Sequence, residues 1–287
     1  MAEIKDKIVT VESLGTVYNA LISNISNFNM LVNGDFQVWQ RGTNFTLPSN
    51  TSTYGADRWC AYVSAGGQVS KNANGLTFTS QNGTIKLTQK IDYCIKDADA
   101  NTDYTLQVCI DNIVNIIKFN SITTSVQTVT CPNNSNIAAT IYCPSSNDIR
   151  KTILEITINQ VSGTVNWIKL ERGSIATQFS PRAYADELDM CRRYYQHIGF
   201  SAPIVYKYHN KRIIIMLCFD QMRVTPAIKE LTISSYDSSG MAIDSTSYEV
   251  NSLGYGQAIL IVDFDKDLNS SLTGVKAWLA LDTEFDK

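Results

Sequence analysis

Apolar positions follow three rhythms along the chain, and each predicts a different kind of element. In residues 1–28 they fall at Val11, Leu14, Tyr18, Leu21, Ile25 and Phe28, spacings of three and four that line one narrow stripe of a helix, with Ile4 one heptad earlier. Thr10 suits an N-cap and Glu12 a first turn. So short a helix gains its stability from what it packs against, so the seam either docks on its own domain or, since it precedes the globular part, forms an anchoring or oligomerising segment.

From Met30 to Pro181 the period shortens to two. Gly75–Ser80, Thr84–Ile91, Asp103–Ile110, Asn115–Asn120, Ser125–Thr130, Asn136–Cys143 and Ile153–Val161 are short runs, often alternating, separated by turn formers with no helix between them. That pattern predicts an antiparallel sandwich, a jelly roll over residues 29–181. A helical rhythm returns over 182–198, where Asp186 and Glu187 lie near the start, Arg192 and Arg193 near the end, and Leu188, Cys191 and Tyr195 on one face. That face is expected to pack between two domains or against sister chains.

A second β run occupies 199–287, with strands expected at Lys211–Asp220, Ile228–Asp237, Thr246–Gly254, Gly256–Asp265 and Val275–Asp282. Ile213–Phe219 is apolar at successive positions, so one face should meet a core and the other a second layer or a neighbouring subunit. The expected fold is mainly β: a short N-terminal helix, a jelly-roll β-sandwich, a linker helix and a second, smaller β-sandwich.

Composition narrows the function classes. With 44% hydrophobic and 18% charged residues and a net charge of −3, the chain is neither of disordered composition nor electrostatically suited to nucleic acid. No apolar run approaches the roughly 20 residues of a membrane span, and Met1–Val9 has no apolar core of a signal peptide, so folding in a cytoplasm is expected. The seven cysteines are odd in number, scattered and free of C-x-x-C pairs, which suits reduced, buried thiols.

Catalytic chemistry finds no motif. There is no G-x-S-x-G elbow, phosphate loop or H-E-x-x-H, and His197 and His209 are the only imidazoles. Asp57, Asp92, Asp103 and Asp111 are scattered and read as turn or surface acids rather than a glycosidase pair. "DFDKD" from Asp263 to Asp267 lacks the glycine and glutamate of an EF-hand loop. No catalytic residue, metal or cofactor is therefore expected. Trp39, Tyr54, Trp59 and Tyr62 are the candidate ligand contacts, because exposed rings stack on sugar C–H faces; the competing role for each is the core.

"MLVNGDFQVWQRGTNFT" (Met30–Thr46), "YGADRWC" (Tyr54–Cys60), "NWIKLERGSIATQFSPRAYADELDMCRRYYQ" (Asn166–Gln196) and "FDQMRVTPAI" (Phe219–Ile228) together resemble bacteriophage and prophage fibre or appendage proteins. In these a carbohydrate-binding-module-like jelly roll opens on an N-G-D-F strand and closes on a W-x-K-L-E strand, ahead of a small C-terminal sandwich. The resemblance implies a virion structural protein of head or tail, typically a homotrimer, attached to other virion proteins through its N-terminal segment. Its β domains would project outward for adhesion to host surface glycans. It transfers no binding residues. A structural connector without host contact and a polysaccharide-degrading enzyme are the competing functions.

Overall fold

A computed structural model describes residues 27–91, 102–120, 126–142, 152–203, 207–209, 212–237, 242–243, 247–254, 256–263 and 272–284. Val11, Leu14, Tyr18, Leu21 and Ile25 of the expected seam lie outside the described residues. Phe28 lies inside them and departs from the expectation: it is in no helix, it is 58% exposed, and the Arg182 guanidinium sits 4.7 Å from its ring centroid. The chain divides into two units, residues 1–183 and 184–287.

The first unit is a β-sandwich of jelly-roll type. Its strands are β1 (Asn44–Leu47), β2 (Thr51–Tyr54), β3 (Cys60–Val63), β4 (Gly67–Asn72), β5 (Gly75–Ser80), β6 (Ile85–Ile91), β7 (Asp103–Ile110), β8 (Ile113–Asn120), β9 (Val126–Cys131), β10 (Asn134–Tyr142), β11 (Thr152–Ile158) and β12 (Ser162–Arg172). They form two antiparallel six-stranded sheets, ordered β1-β4-β5-β12-β7-β8 and β2-β3-β6-β11-β10-β9. The alternation in β6 and β11 aims Ile85, Leu87, Leu154 and Ile156 into the space between the sheets, where they meet Leu106 and Ile168 from the other layer.

The segment that opens this unit is buried yet lies in no strand, so its backbone is satisfied partly by main-chain bonds, such as Met30 N–H to Leu170 O and Asp57 N–H to Val38 O, and partly by side-chain amides. Asn33, in the left-handed region at φ 55°, donates from Nδ2 to the carbonyls of Val38 at 2.9 Å and Asp57 at 2.8 Å and accepts from Val38 N–H at 3.0 Å. Asn29 accepts from the N–H groups of Leu31 and Leu170 and donates to Ile168 O, while Gln89 bonds both backbone groups of Val32. Gly34 must lack a side chain: a Cβ there would lie 2.5 Å from Ile168 O, whose own N–H donates to Gly34 O at 2.7 Å.

The closing segment folds back over the outer face of the first sheet. Trp167 stacks on Phe179 with centroids 4.6 Å apart. Thr177 caps a buried pair, since Lys169 Nζ reaches Thr177 Oγ1 at 2.6 Å and Glu171 Oε2 at 3.2 Å, and Glu171 Oε1 accepts from Thr177 N–H and Gln107 Nε2. Burial pushes the Lys169 ammonium below its ordinary value, and Glu171 pulls it back up. Such a pair is costly to break singly, by about 3–5 kcal/mol, because the remaining charge has no compensation. Arg182 ends the strap by donating to the carbonyls of Leu31 and Asn29.

The second unit begins with α1 (Tyr184–Arg192), which is shorter than the 182–198 expected, and continues with β13 (Tyr195–Pro203). The helix stops because Tyr194 N–H bonds Cys191 O in a tight last turn and the next residues join a ladder instead. Cys191 and Tyr195 are buried and Leu188 half-buried. The remaining strands are β14 (Lys207–His209), β15 (Arg212–Cys218), β16 (Ala227–Asp237), β17 (Ala242–Ile243), β18 (Ser247–Leu253), β19 (Gln257–Asp263) and β20 (Leu272–Asp282). Two four-stranded antiparallel sheets result, β13-β20-β16-β17 and β14-β15-β19-β18, sharing a core that includes Leu217, Leu260, Leu279 and Leu281. Two sequence motifs meet here: Gln196 exchanges hydrogen bonds with the Asp220 backbone, and Arg223 N–H donates to Arg193 O while its guanidinium faces the Tyr194 ring at 5.6 Å.

Asn33→Ala removes the partner of Val38 N–H and of two carbonyls and sets alanine at positive φ, so urea unfolding should show a loss of about 3 kcal/mol. A loss below about 0.5 kcal/mol, typical of surface changes, would contradict this role.

Candidate functional site

Of the four aromatic candidates, two belong to the core. Trp59 is 1% exposed, donates from Nε1 to Asn33 O at 2.8 Å and packs 5.4 Å from Phe36. Trp39 is 8% exposed, donates to Phe36 O and stacks on Phe45. The expectation of ligand contact is corrected for both: their apolar bodies fill the sandwich and their N–H groups serve the buried opening segment. Tyr54 is half-buried, with the Arg41 guanidinium 5.2 Å from its ring. Tyr62 is half-buried and donates to Asn50 Oδ1 at 3.0 Å.

The candidate acids are structural where described. Asp57 is wholly buried and accepts from Gln40 N–H, with Arg41 Nη1 3.5 Å away. Asp111 sits at φ 49° in the β7–β8 turn and accepts from Thr164 N–H at 2.9 Å. Among the described residues no group of three or more His, Cys, Asp or Glu could hold a metal ion. Asp92 lies outside the described residues, as does "DFDKD" beyond Asp263; Asp263 itself pairs with Arg212 at 2.6 Å.

Tyr62 belongs to a different assembly, on the outer face of the second sheet. Strand alternation turns Leu87 and Ile156 inward and Lys86 and Glu155 outward. Tyr62 lies directly across from Lys86, and Lys86 Nζ meets Glu155 Oε1 at 2.9 Å on the next strand. Tyr142 pairs with Ile153, two residues from Glu155 on the same face, and Thr140 shares a hydroxyl hydrogen bond with Thr128 at 3.0 Å. Tyr62 and Tyr142 lie three strands apart, and the register through Lys86, Thr157 and Ala138 sets them four residues apart along the strand as well, so about 20 Å separates them on the diagonal. Both phenols lie near enough to act on the Lys86 charge. The hydrogen bond to Glu155 raises the ammonium above its ordinary value, against the opposing effect of burial.

The result is two rings on a diagonal of the sheet with fixed donors and acceptors between them, suited to a neutral, hydroxyl-rich ligand laid obliquely over the strands. Sequence reading located Tyr62 and missed Lys86, Glu155 and Tyr142. Their outward positions in alternating strands were the available signal, but the pairing of β6 with β11 is set by distant parts of the chain.

The fold is that of a mainly β protein with two sandwich units. No protein-family profile and no curated protein sequence matches the chain. Among solved structures it is similar to the wild-type discoidin II from Dictyostelium discoideum, at 11% identity over 93% of this chain and 96% of that one, with a TM-score of 0.22. A likeness that loose carries no functional weight.

Because the folded value of Lys86 is raised, its pair with Glu155 contributes stability that is fully present below the ordinary lysine value of 10.5 and is lost as pH rises through the folded value. Partial exposure limits the effect to within about 1 kcal/mol. Urea unfolding followed into the alkaline range should show this loss in the native chain and not in Glu155→Gln; equal curves would contradict the pairing.

Proposed function

We propose that the chain is a non-enzymatic structural protein of a bacteriophage particle, a head or tail fibre or appendage. Its β units bind host surface glycans. The observation that carries the reading is the open sheet face with Tyr62, Lys86, Glu155 and Tyr142, set on a rigid sandwich whose other outer face is crossed by the closing strap. The motif resemblance and the apolar seam of residues 1–28 support a homotrimer held to other virion proteins through that segment, assembled in the host cytoplasm. The sites use no metal or cofactor.

A connector role, holding other virion proteins without touching the host, is the second reading. It is favoured by one surface of the second unit: Met216 is 69% exposed on β15 beside half-buried Ile214, with Ile259 and Ile261 opposite on β19. In both readings the partner is protein or glycan rather than nucleic acid, consistent with the net charge of −3.

The test is binding of the full chain to a glycan array and to host cells. Tyr62→Ala and Tyr142→Ala should each weaken retention about tenfold, the equivalent of one lost ring contact. Retention by no glycan and no cell would overturn the adhesion reading in favour of the connector, release of new reducing ends would overturn the non-enzymatic one, and a monomeric mass in solution would overturn the trimer.

A further inference from the structure

In the second unit Trp278 is 55% exposed although it occupies the middle of the three-stranded pairing β13-β20-β16. Leu279, its neighbour in sequence, points into the core, so strand alternation sends the indole outward. Directly across the ladder lies Gly199, and a Cβ built there would lie 2.2 Å from Trp278 Cζ3 and 2.5 Å from Cε3. The six-membered ring therefore rests on the backbone of β13 in the space a side chain would fill. Glycine in a strand interior costs stability, and here it lets another residue approach closely. Exposed His197, one position along the same face of β13, stacks against the indole with centroids 5.9 Å apart and planes at 20°.

The surroundings of the ring are polar. Thr232 lies across the ladder on the other side, and exposed Lys276 and Glu230 follow on the same sheet face. One indole offers at most about 250 Å² of apolar surface. A standard protein interface needs about 800 Å² from each partner. The platform matches a single sugar ring instead: an aromatic face is electron-rich and attracts the partly positive C–H groups on the flat side of a pyranose, while the hydroxyls at its rim seek donors and acceptors.

We infer that Trp278, laid flat over Gly199 and extended by His197, is a second glycan-binding site, taking a pyranose unit with an uninterrupted C–H face such as a β-linked glucose, N-acetylglucosamine or galactose residue. The site rests on the glycan reading for its class of ligand and on the second unit alone for its place. Thr232, Lys276 and Glu230 supply hydrogen bonds to the rim hydroxyls.

The experiment is a titration of the full chain with cellohexaose, chitohexaose and lactose, followed by tryptophan fluorescence. Of the other three tryptophans, Trp39 and Trp59 are buried and Trp167 is half-buried and stacked on Phe179, so the exposed indole of Trp278 should dominate the response. At least one of these sugars should shift the emission. Trp278→Ala should abolish the shift and weaken binding at least about tenfold. Gly199→Ala keeps the tryptophan but lifts it from the sheet, and should weaken binding while the fold, read by circular dichroism, is unchanged. Tyr62→Ala should leave the shift intact. The inference is overturned if no sugar moves the emission, if Trp278→Ala binds as the native chain does, or if Trp278→Ala changes only the association state of the protein, which would make the ring a protein contact. Loss of sugar binding in Tyr62→Ala alone removes this site and leaves the first one standing.

Discussion

The first unit depends on side-chain amides that stand in for a missing strand. Residues 29 to 39 run through the interior without joining either sheet, and each buried N–H or C=O left unpaired there would cost about 1–3 kcal/mol. Asn29, Asn33 and Gln89 act as portable pieces of backbone, presenting a donor and an acceptor together. Because Asn29 also binds Leu170 and Ile168, and Asn33 also binds Asp57, the same amides tie the start of the unit to its last strand and to the turn before β3. Sequence separations of more than a hundred residues are closed by single side chains.

That arrangement explains which outer face of the sandwich is left uncovered by the strap. The strap after β12 must cover Lys169 and Glu171, whose charges are tolerable inside only as a mutually satisfied group with Thr177 and Gln107. One outer face of the sandwich is thereby crossed by the chain's own backbone. The opposite sheet carries its charged and phenolic groups outward, with Lys86 and Glu155 holding each other between two tyrosines. In the second unit the corresponding exposed chemistry is an indole whose posture is set by a glycine.

Much of this was legible in the sequence. Alternation marked β5 to β11 to within about three residues at either end, because most of those strands bury one face against a common core, while β12 was marked by its W-x-K-L-E run. The four strands β1 to β4 were missed: β1, β2 and β4 are short and carry Thr, Ser, Asn or Gly at many positions, β3 is only four residues long, and their pairing rather than their composition makes them strands. Tyr195 to Ile198 continued a helical spacing with Leu188 and Cys191, yet the long ladder with β20 prevailed over that local rhythm. Trp39 and Trp59 were indistinguishable from surface rings by type; what settles their place is the amide network their N–H groups join, which no local pattern reveals. The motifs that stood out most, "NGDF", "YGADRW" and "WIKLE", mark buried polar geometry, whereas the half-buried ring of Tyr142 and the exposed ring of Trp278 sit in unremarkable alternating runs.

Site-resolved amide hydrogen exchange of the full chain tests the amide scaffold most directly. The N–H groups of Leu31, Val32 and Val38, bonded only to side-chain oxygens of Asn29, Gln89 and Asn33, should exchange as slowly as those at the centre of β7 and β12. Exchange of these three at the rate of an open loop, while the strands remain protected, would show that the opening segment is held by something other than its amides and would contradict the account.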